Sequence, residues 1–326
     1  MRALLLLLLL VTAPLLAQDP LDSTREGFGR SELGLWFKKN LDPGTPMIKL
    51  AARLKKANTD SLKLPSPTYQ LVWNDEFNRF DDQAWQRGQP WGRYHGQLPH
   101  QFYGDEEVLD SGGYLLLQNR YNPTDFIQER WVPDSAASIM LGSEPPLKRL
   151  ADTLTIPWGT GLVNTFHSQS WTYGFFAIRC QNPSGPATWP AFWLTGRYNW
   201  PPEIDIFEMY GLKKGKTVHR QTMTLHFGKI ETQTKRLIMR HFQLPKNTDQ
   251  TFHIYASEWT PKVIRFYTDG RQVARVRLNA YMRQYFQEPM YLIVNNAVDH
   301  RYLDRLDSSQ EPTSLVVDWI RVYQEP

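Results

Sequence analysis

The chain has 326 residues and one cysteine, Cys180, so no disulfide can close within it and its stability must come from a buried core. It has no block of like charge. The 37 Lys and Arg stand against 33 Asp and Glu, a scattered net +4 that offers no electrostatic footprint for a nucleic-acid partner. After the opening leucines it has no apolar run long enough to span a bilayer. It also lacks a glycine-rich nucleotide loop, a His-Glu metal motif and a nucleophilic-serine signature, which leaves most other enzyme classes without support. There is no internal repeat.

The start of the chain reads as a leader. Arg2 supplies a positive end, Leu4 to Val11 an apolar stretch, and Ala17 a small residue before Gln18, although Leu15 is large for its place. No cysteine follows, which excludes a lipoprotein anchor, so a secreted or periplasmic protein is expected. Residues 18–66 differ from what comes after. Ser31 to Asn40 and Pro46 to Ala57 carry apolar residues at helical spacing, with Thr45 and Pro46 as cap and first position, and "KLPSP" from Lys63 to Pro67 reads as a linker. The expected division is 1–17 leader, 18–66 helical segment and linker, 67–326 main domain.

From Tyr69 the pattern is short extended runs rich in β-branched and aromatic residues, parted by Gly, Pro, Asn or Asp. Asp269-Gly270 marks a tight hairpin. With no crossover helices between the runs, two antiparallel sheets packed face to face are expected. Aromatic residues are plentiful, 12 Trp, 15 Tyr and 16 Phe, more than a core alone requires. Flat rings stack on sugars, and large rings also fill the gap between two sheets.

One run concentrates acid. "WPPEIDIFEMYG", Trp200 to Gly211, holds Glu203, Asp205 and Glu208 among Ile204, Ile206 and Phe207. Alternation on a strand puts Glu203 and Asp205 on one face and would send Glu208 to the other. A bulge after Asp205 returns Glu208 to its partners' face. Two inward-leaning glutamates then bring their carboxyls to about 5–5.5 Å, the separation of a retaining glycosidase. Glu203 would be the nucleophile and Glu208 the acid/base, with Asp205 bonded to Glu203. Three crowded acids cannot all ionise cheaply, so at least one proton should be held near neutrality. A calcium site and a solvated strand face compete with this reading, but Ile and Phe spacers suit neither.

E-x-D-x-x-E after "WPAFWLTG" resembles glycoside hydrolase family 16, the laminarinase-like β-glucanases and their agarase and galactanase relatives. "LVWNDEFN", "YGFFAIRCQNPSGPATWPAFWL", "FHIYASEWTPKVIRFYTDG" and "LVVDWIRVYQ" are similar in the same order, from about Tyr69 to Tyr323. The resemblance implies an all-β, antiparallel jelly-roll sandwich with a concave substrate groove and the bulged, laminarinase-type motif. It implies Glu203 as nucleophile, Asp205 as helper and Glu208 as acid/base. It places Trp189 on a groove wall, Arg179 on sugar hydroxyls and His226 on the leaving-group side, while Trp193 and Trp200 lie in the aromatic flank. Asp318, with Asp75 and Glu76, is a candidate ligand of a structural calcium, and catalysis needs no cofactor. Three departures stand out, the first being that the helical segment before Tyr69 has no counterpart in the family. Ala177 replaces a glutamate expected to touch sugar, and Asn295 to Arg305 replaces a glycine-rich loop. The expected function is a monomeric, exported, retaining endo-hydrolase of a β-1,3-containing glucan, with a polysaccharide as its partner. A galactan (agarose- or carrageenan-type) hydrolase, a transglycosylase of the same fold and a non-catalytic carbohydrate-binding protein are the alternatives.

Overall fold

The computed structural model describes residues 62–93, 98–133, 147–210, 212–213, 216–217, 220–229, 236–244 and 248–326. The expected leader and both expected N-terminal helices lie outside these residues.

The described chain forms two large sheets and a two-stranded ribbon, Leu212–Lys213 with Lys216–Thr217. The seven-stranded sheet runs Arg236–Gln243, Arg220–Phe227, Glu203–Glu208, Thr188–Gly196, Met290–Val298, Leu162–Asn164, Gln86–Arg87. The path of the ten-stranded sheet runs Arg271–Arg277, Val263–Thr268, His253–Trp259, Gly174–Gln181, Thr313–Gln324, Tyr114–Pro133, Leu147–Thr160, Gln101–Tyr103. Its other two strands are Gln70–Asp75, beside Thr313–Gln324, and Val108–Ser111, beside Tyr114–Pro133. Nearly every pairing is antiparallel; Gln101–Tyr103 joins Leu147–Thr160 in parallel.

Alternation sorts the side chains. On Gly174–Gln181, Phe176, Ile178 and Cys180 are fully buried between the sheets. Tyr255, paired with Ile178, meets Phe207 of the opposite sheet with ring centroids 4.8 Å apart. Each such side chain stabilises the sandwich by about 1.5–3 kcal/mol through burial. The other face of the same strand also packs: Phe175 and Ala177 join Tyr69, Ile254, Ala256, Tyr267 and Trp319 in an outer cluster. Leu62 and Leu64 cover it, and the Thr68 hydroxyl donates to Glu325 at 2.7 Å. The stretch expected as a linker is therefore, from Leu62, a strap packed on the ten-stranded sheet.

The Asp269-Gly270 hairpin forms as expected, with φ of 48° and 71° between Thr268 and Arg271. Both central residues are left-handed, the geometry a two-residue hairpin of this twist requires. Two substantial strands carried no clear sequence pattern. Arg236–Gln243 buries only Ile238 and Phe242 among arginine, histidine and glutamine, and Leu147–Thr160 is broken by charges and a proline. No helix among the described residues is long and apolar enough to cross a membrane.

Candidate active site

The acidic strand is bulged where its spacing demands. Glu203 pairs with Thr195 on one side and His226 on the other, and Asp205 with Trp193 and Thr224. The register then slips, so that Phe207 pairs with Phe192 and Glu208 with Ala191 and Thr222. Phe207 points into the core, and Glu208 returns to the face of the other two acids. Ile206 is the surplus residue, and its carbonyl accepts from Gln221 Nε2 at 2.9 Å. Gln221 is wholly buried and is itself held by the Thr268 hydroxyl of the opposite sheet. A carbonyl that the slip would otherwise orphan is thus satisfied, which lets the bulge persist in a dry interior.

Around Glu203 two of the neighbours, Asp205 and His226, are titratable groups, and the third is the Trp200 indole. His226 Nε2 lies 3.2 Å from Glu203 Oε1 and 3.3 Å from Asp205 Oδ2. Facing two carboxylates, that nitrogen carries the hydrogen. Trp200 Nε1 donates to Glu203 Oε2 at 2.7 Å. Burial, and then the neighbouring Asp205 charge, push the Glu203 carboxyl up to about 7, while His226 and the Trp200 N–H pull it back. The proton that crowding was expected to retain is therefore held at the acid expected to attack. Glu203, Asp205 and His226 also offer ligand atoms within 4.8 Å of one another, the one set among the described residues compact enough to share a metal ion.

Around Glu208 the groups are neutral donors. Trp189 Nε1 and the Tyr210 hydroxyl both donate to Oε1, each at 3.1 Å, and the Thr224 hydroxyl reaches Oε2 at 3.2 Å. With Oε1 occupied by two donors, a proton on this carboxyl sits on Oε2. Burial and the Glu208 charge raise the Tyr210 phenol far above its usual range, so it remains a donor at any working pH.

The other expected residues divide. Trp189, Trp200 and His226 lie in the site, and His226, which was expected on the leaving-group side, sits beside Glu203 because its strand pairs it with that residue. Trp193 faces Asp205, yet its N–H donates to Asn295 Oδ1 at 2.8 Å and its ring packs with Tyr103, Leu162, Tyr291 and Ile293, so it belongs to the groove floor. Arg179 is displaced altogether. One residue out of phase with Ile178, it points away from the seven-stranded sheet, lies over the Phe252 ring at 4.6 Å and pairs with Asp318. Ala177 shares that outer face, so its replacement of a glutamate removes no groove contact. The calcium candidates are not gathered either. Asp318 is neutralised by Arg179, Glu76 is bridged twice at 2.8 Å by Arg321, and Asp75 accepts from Phe77 N at 2.8 Å and Trp85 Nε1 at 2.7 Å.

Sequence reasoning missed Tyr210, Thr224, Tyr291 and Arg301. Tyr291 lies across Thr195 from Glu203, and burial and the Glu203 charge raise its phenol. Strand phase held the signal for Thr224, two residues before His226, and for Tyr291 at the start of an alternating strand. Nothing local marks the other two.

The sequence profile of Glycosyl hydrolases family 16 matches residues 147–321. A Rhodothermus marinus protein named β-glucanase is 31% identical over 293 residues, covering 79% of this chain and 86% of that protein. A Sphingobacterium multivorum keratan-sulfate endo-1,4-β-galactosidase is 25% identical over 303 residues, covering 88% of this chain and 62% of that protein. Among solved structures, the laminarinase catalytic domain from Thermotoga maritima MSB8 superposes with a TM-score of 0.59 at 24% identity, covering 79% of this chain and 99% of that one.

Proposed function

Because the chain belongs to glycosyl hydrolase family 16 and is an endo-β-glucanase-type hydrolase of O-glycosidic bonds, we propose that it cuts a β-1,3-containing glucan with retention of anomeric configuration. One observation carries the mechanism: the bulge sets Glu203 and Glu208 on one face in unlike surroundings. In the first step ionised Glu203 attacks the anomeric carbon. The glycosidic bond breaks as Glu208 Oε2 gives its proton to the departing oxygen, leaving a glycosyl ester on Glu203. In the second step Glu208, now a carboxylate, takes a proton from water. The hydroxide adds to the anomeric carbon and Glu203 leaves as a carboxylate. His226 and Trp200 N–H groups steady Glu203 as its charge is spent and restored, and Asp205 fixes His226. Both steps use this chain's own groups.

The β-glucanase and laminarinase names of its relatives favour a glucan. A galactan is the competing substrate, favoured by the endo-β-galactosidase relative. The leader-like opening favours export. Incubation with laminarin, lichenan, agarose and carrageenan, with reducing ends measured and the first-formed anomer read by proton NMR, tests all parts. Laminarin and lichenan are expected to be cleaved to the β-anomer first. Cleavage of agarose or carrageenan alone moves the substrate to galactans, and a first-formed α-anomer defeats retention.

A further inference from the structure

The segment standing in place of the glycine-rich loop reaches the acid/base. Met290–Val298 ends at Asp299, which is fully buried and opens a short 3₁₀ turn, His300–Arg305, by accepting the Arg301 N–H at 3.1 Å. The same carboxylate holds the Arg301 guanidinium by two parallel bonds, Nε to Oδ1 at 2.8 Å and Nη2 to Oδ2 at 2.7 Å. Asp299 donates its own N–H to Ala187, and Tyr302, Leu303 and Leu306 pack the turn on Trp158, Ala187 and Val298. So anchored, the guanidinium lies over the Tyr210 ring, 4.4 Å from its centroid. Tyr210 leans on Trp189 with centroids 5.5 Å apart, and these two rings supply both donors to Glu208 Oε1.

Tyr210 follows the end of its strand, so no ladder partner fixes its ring. What fixes it is Trp189 beside it and Arg301 above. A fork-bound guanidinium is a rigid plate, and a cation over a ring is attractive even at a partly exposed site such as this one. We propose that Arg301, clamped by Asp299, is a positioning residue for Glu208: it holds Tyr210, and through it Glu208 Oε1, so that Oε2 delivers its proton to the leaving-group oxygen. This rests on Glu208 being the acid/base.

The proposal separates two kinds of leaving group. A sugar hydroxyl leaves only when protonated, whereas 2,4-dinitrophenolate leaves unaided. kcat/KM is measured for Arg301→Ala on the polysaccharide cleaved fastest and on the 2,4-dinitrophenyl glycoside of the disaccharide it yields. A loss of about 10- to 100-fold is expected on the polysaccharide, the scale of an ångström-sized misplacement. The aryl glycoside should stay within about twofold of the parent enzyme, because its first step needs no acid. Tyr210→Phe should reproduce the split, and Arg301→Gln serves if the alanine variant does not fold. Equal losses on both substrates, or none on the polysaccharide, overturn the positioning role. Glu208→Ala is the control: if it shows the split and is rescued by azide while the Arg301 variants show none, only this inference fails. If Glu208→Ala shows no split, the acid/base assignment itself falls.

Discussion

Glu203 and Glu208 are the same residue type on one face of one short strand, yet their surroundings differ in kind. Glu203 shares a histidine with Asp205 and is pushed up to about 7 by burial and its charged neighbour. Glu208 is met by an indole, a phenol and a hydroxyl, none charged at neutral pH. Charged neighbours answer to pH, and neutral donors answer to geometry. Under the proposed roles, the Glu203 side would decide when the enzyme is active, and the Glu208 side whether the proton arrives.

The strongest way to break that comparison is to remove each carboxyl charge in turn. Glu203→Gln and Glu208→Gln should each lower kcat on the polysaccharide by roughly 10²–10⁴-fold or more, with circular dichroism unchanged. Full activity in either variant ends the assignment. The two should part in stability. Glu203 titrates at about 7 in the folded protein against an ordinary 4.5. A raised carboxyl stabilises the fold fully below its ordinary value and loses that contribution as pH rises through 7. Glu203→Gln cannot ionise, so at pH ~8 it should exceed the parent by up to about 3 kcal/mol, several degrees in Tm. Near pH ~4 the gain should vanish. Thermal melts at both values check the sign.

A finer cut removes the charge next door. Asp205 is the second cause of the rise at Glu203. Asp205→Asn should let Glu203 ionise earlier and move the acidic limb of kcat/KM to lower pH, by on the order of one pH unit. kcat should fall about tenfold as His226 loses a partner. An acidic limb that stays put, or moves upward, would mean that Asp205 does not set the nucleophile's charge.

Much of this was legible in the chain. The E-x-D-x-x-E offset foretold the bulge because strand phase is a two-state property: an acid one residue late either turns inward or forces a slip. Asp269-Gly270 foretold its hairpin for an equally local reason. Arg179 was misread because a motif match does not say which way a side chain points; counting from Ile178 would have sent it outward. That His226 stands beside Glu203 could not be read in advance, because it depends on register between strands parted by an irregular loop. Tyr210 and Arg301 were invisible for a stronger reason. They meet through a fold-back of some ninety residues, and no local pattern records such a meeting.

Arg179 supplies the smallest and most discriminating test, since it compares the groove face with the face behind it. Its pair with Asp318 is about one-fifth to one-quarter exposed, with the Phe252 ring beneath. A pair so placed contributes about 1 kcal/mol at most, because water competes for both partners and two long side chains must be held still. Arg179→Gln should lower Tm by a few degrees at low salt and by less at high salt, where the pair is already screened. Because the side chain lies across the ten-stranded sheet from the acids, kcat and KM on the polysaccharide should not change. A rise in KM with kcat preserved would mean that the guanidinium does meet sugar, and the groove would then have to extend around the edge of the sandwich.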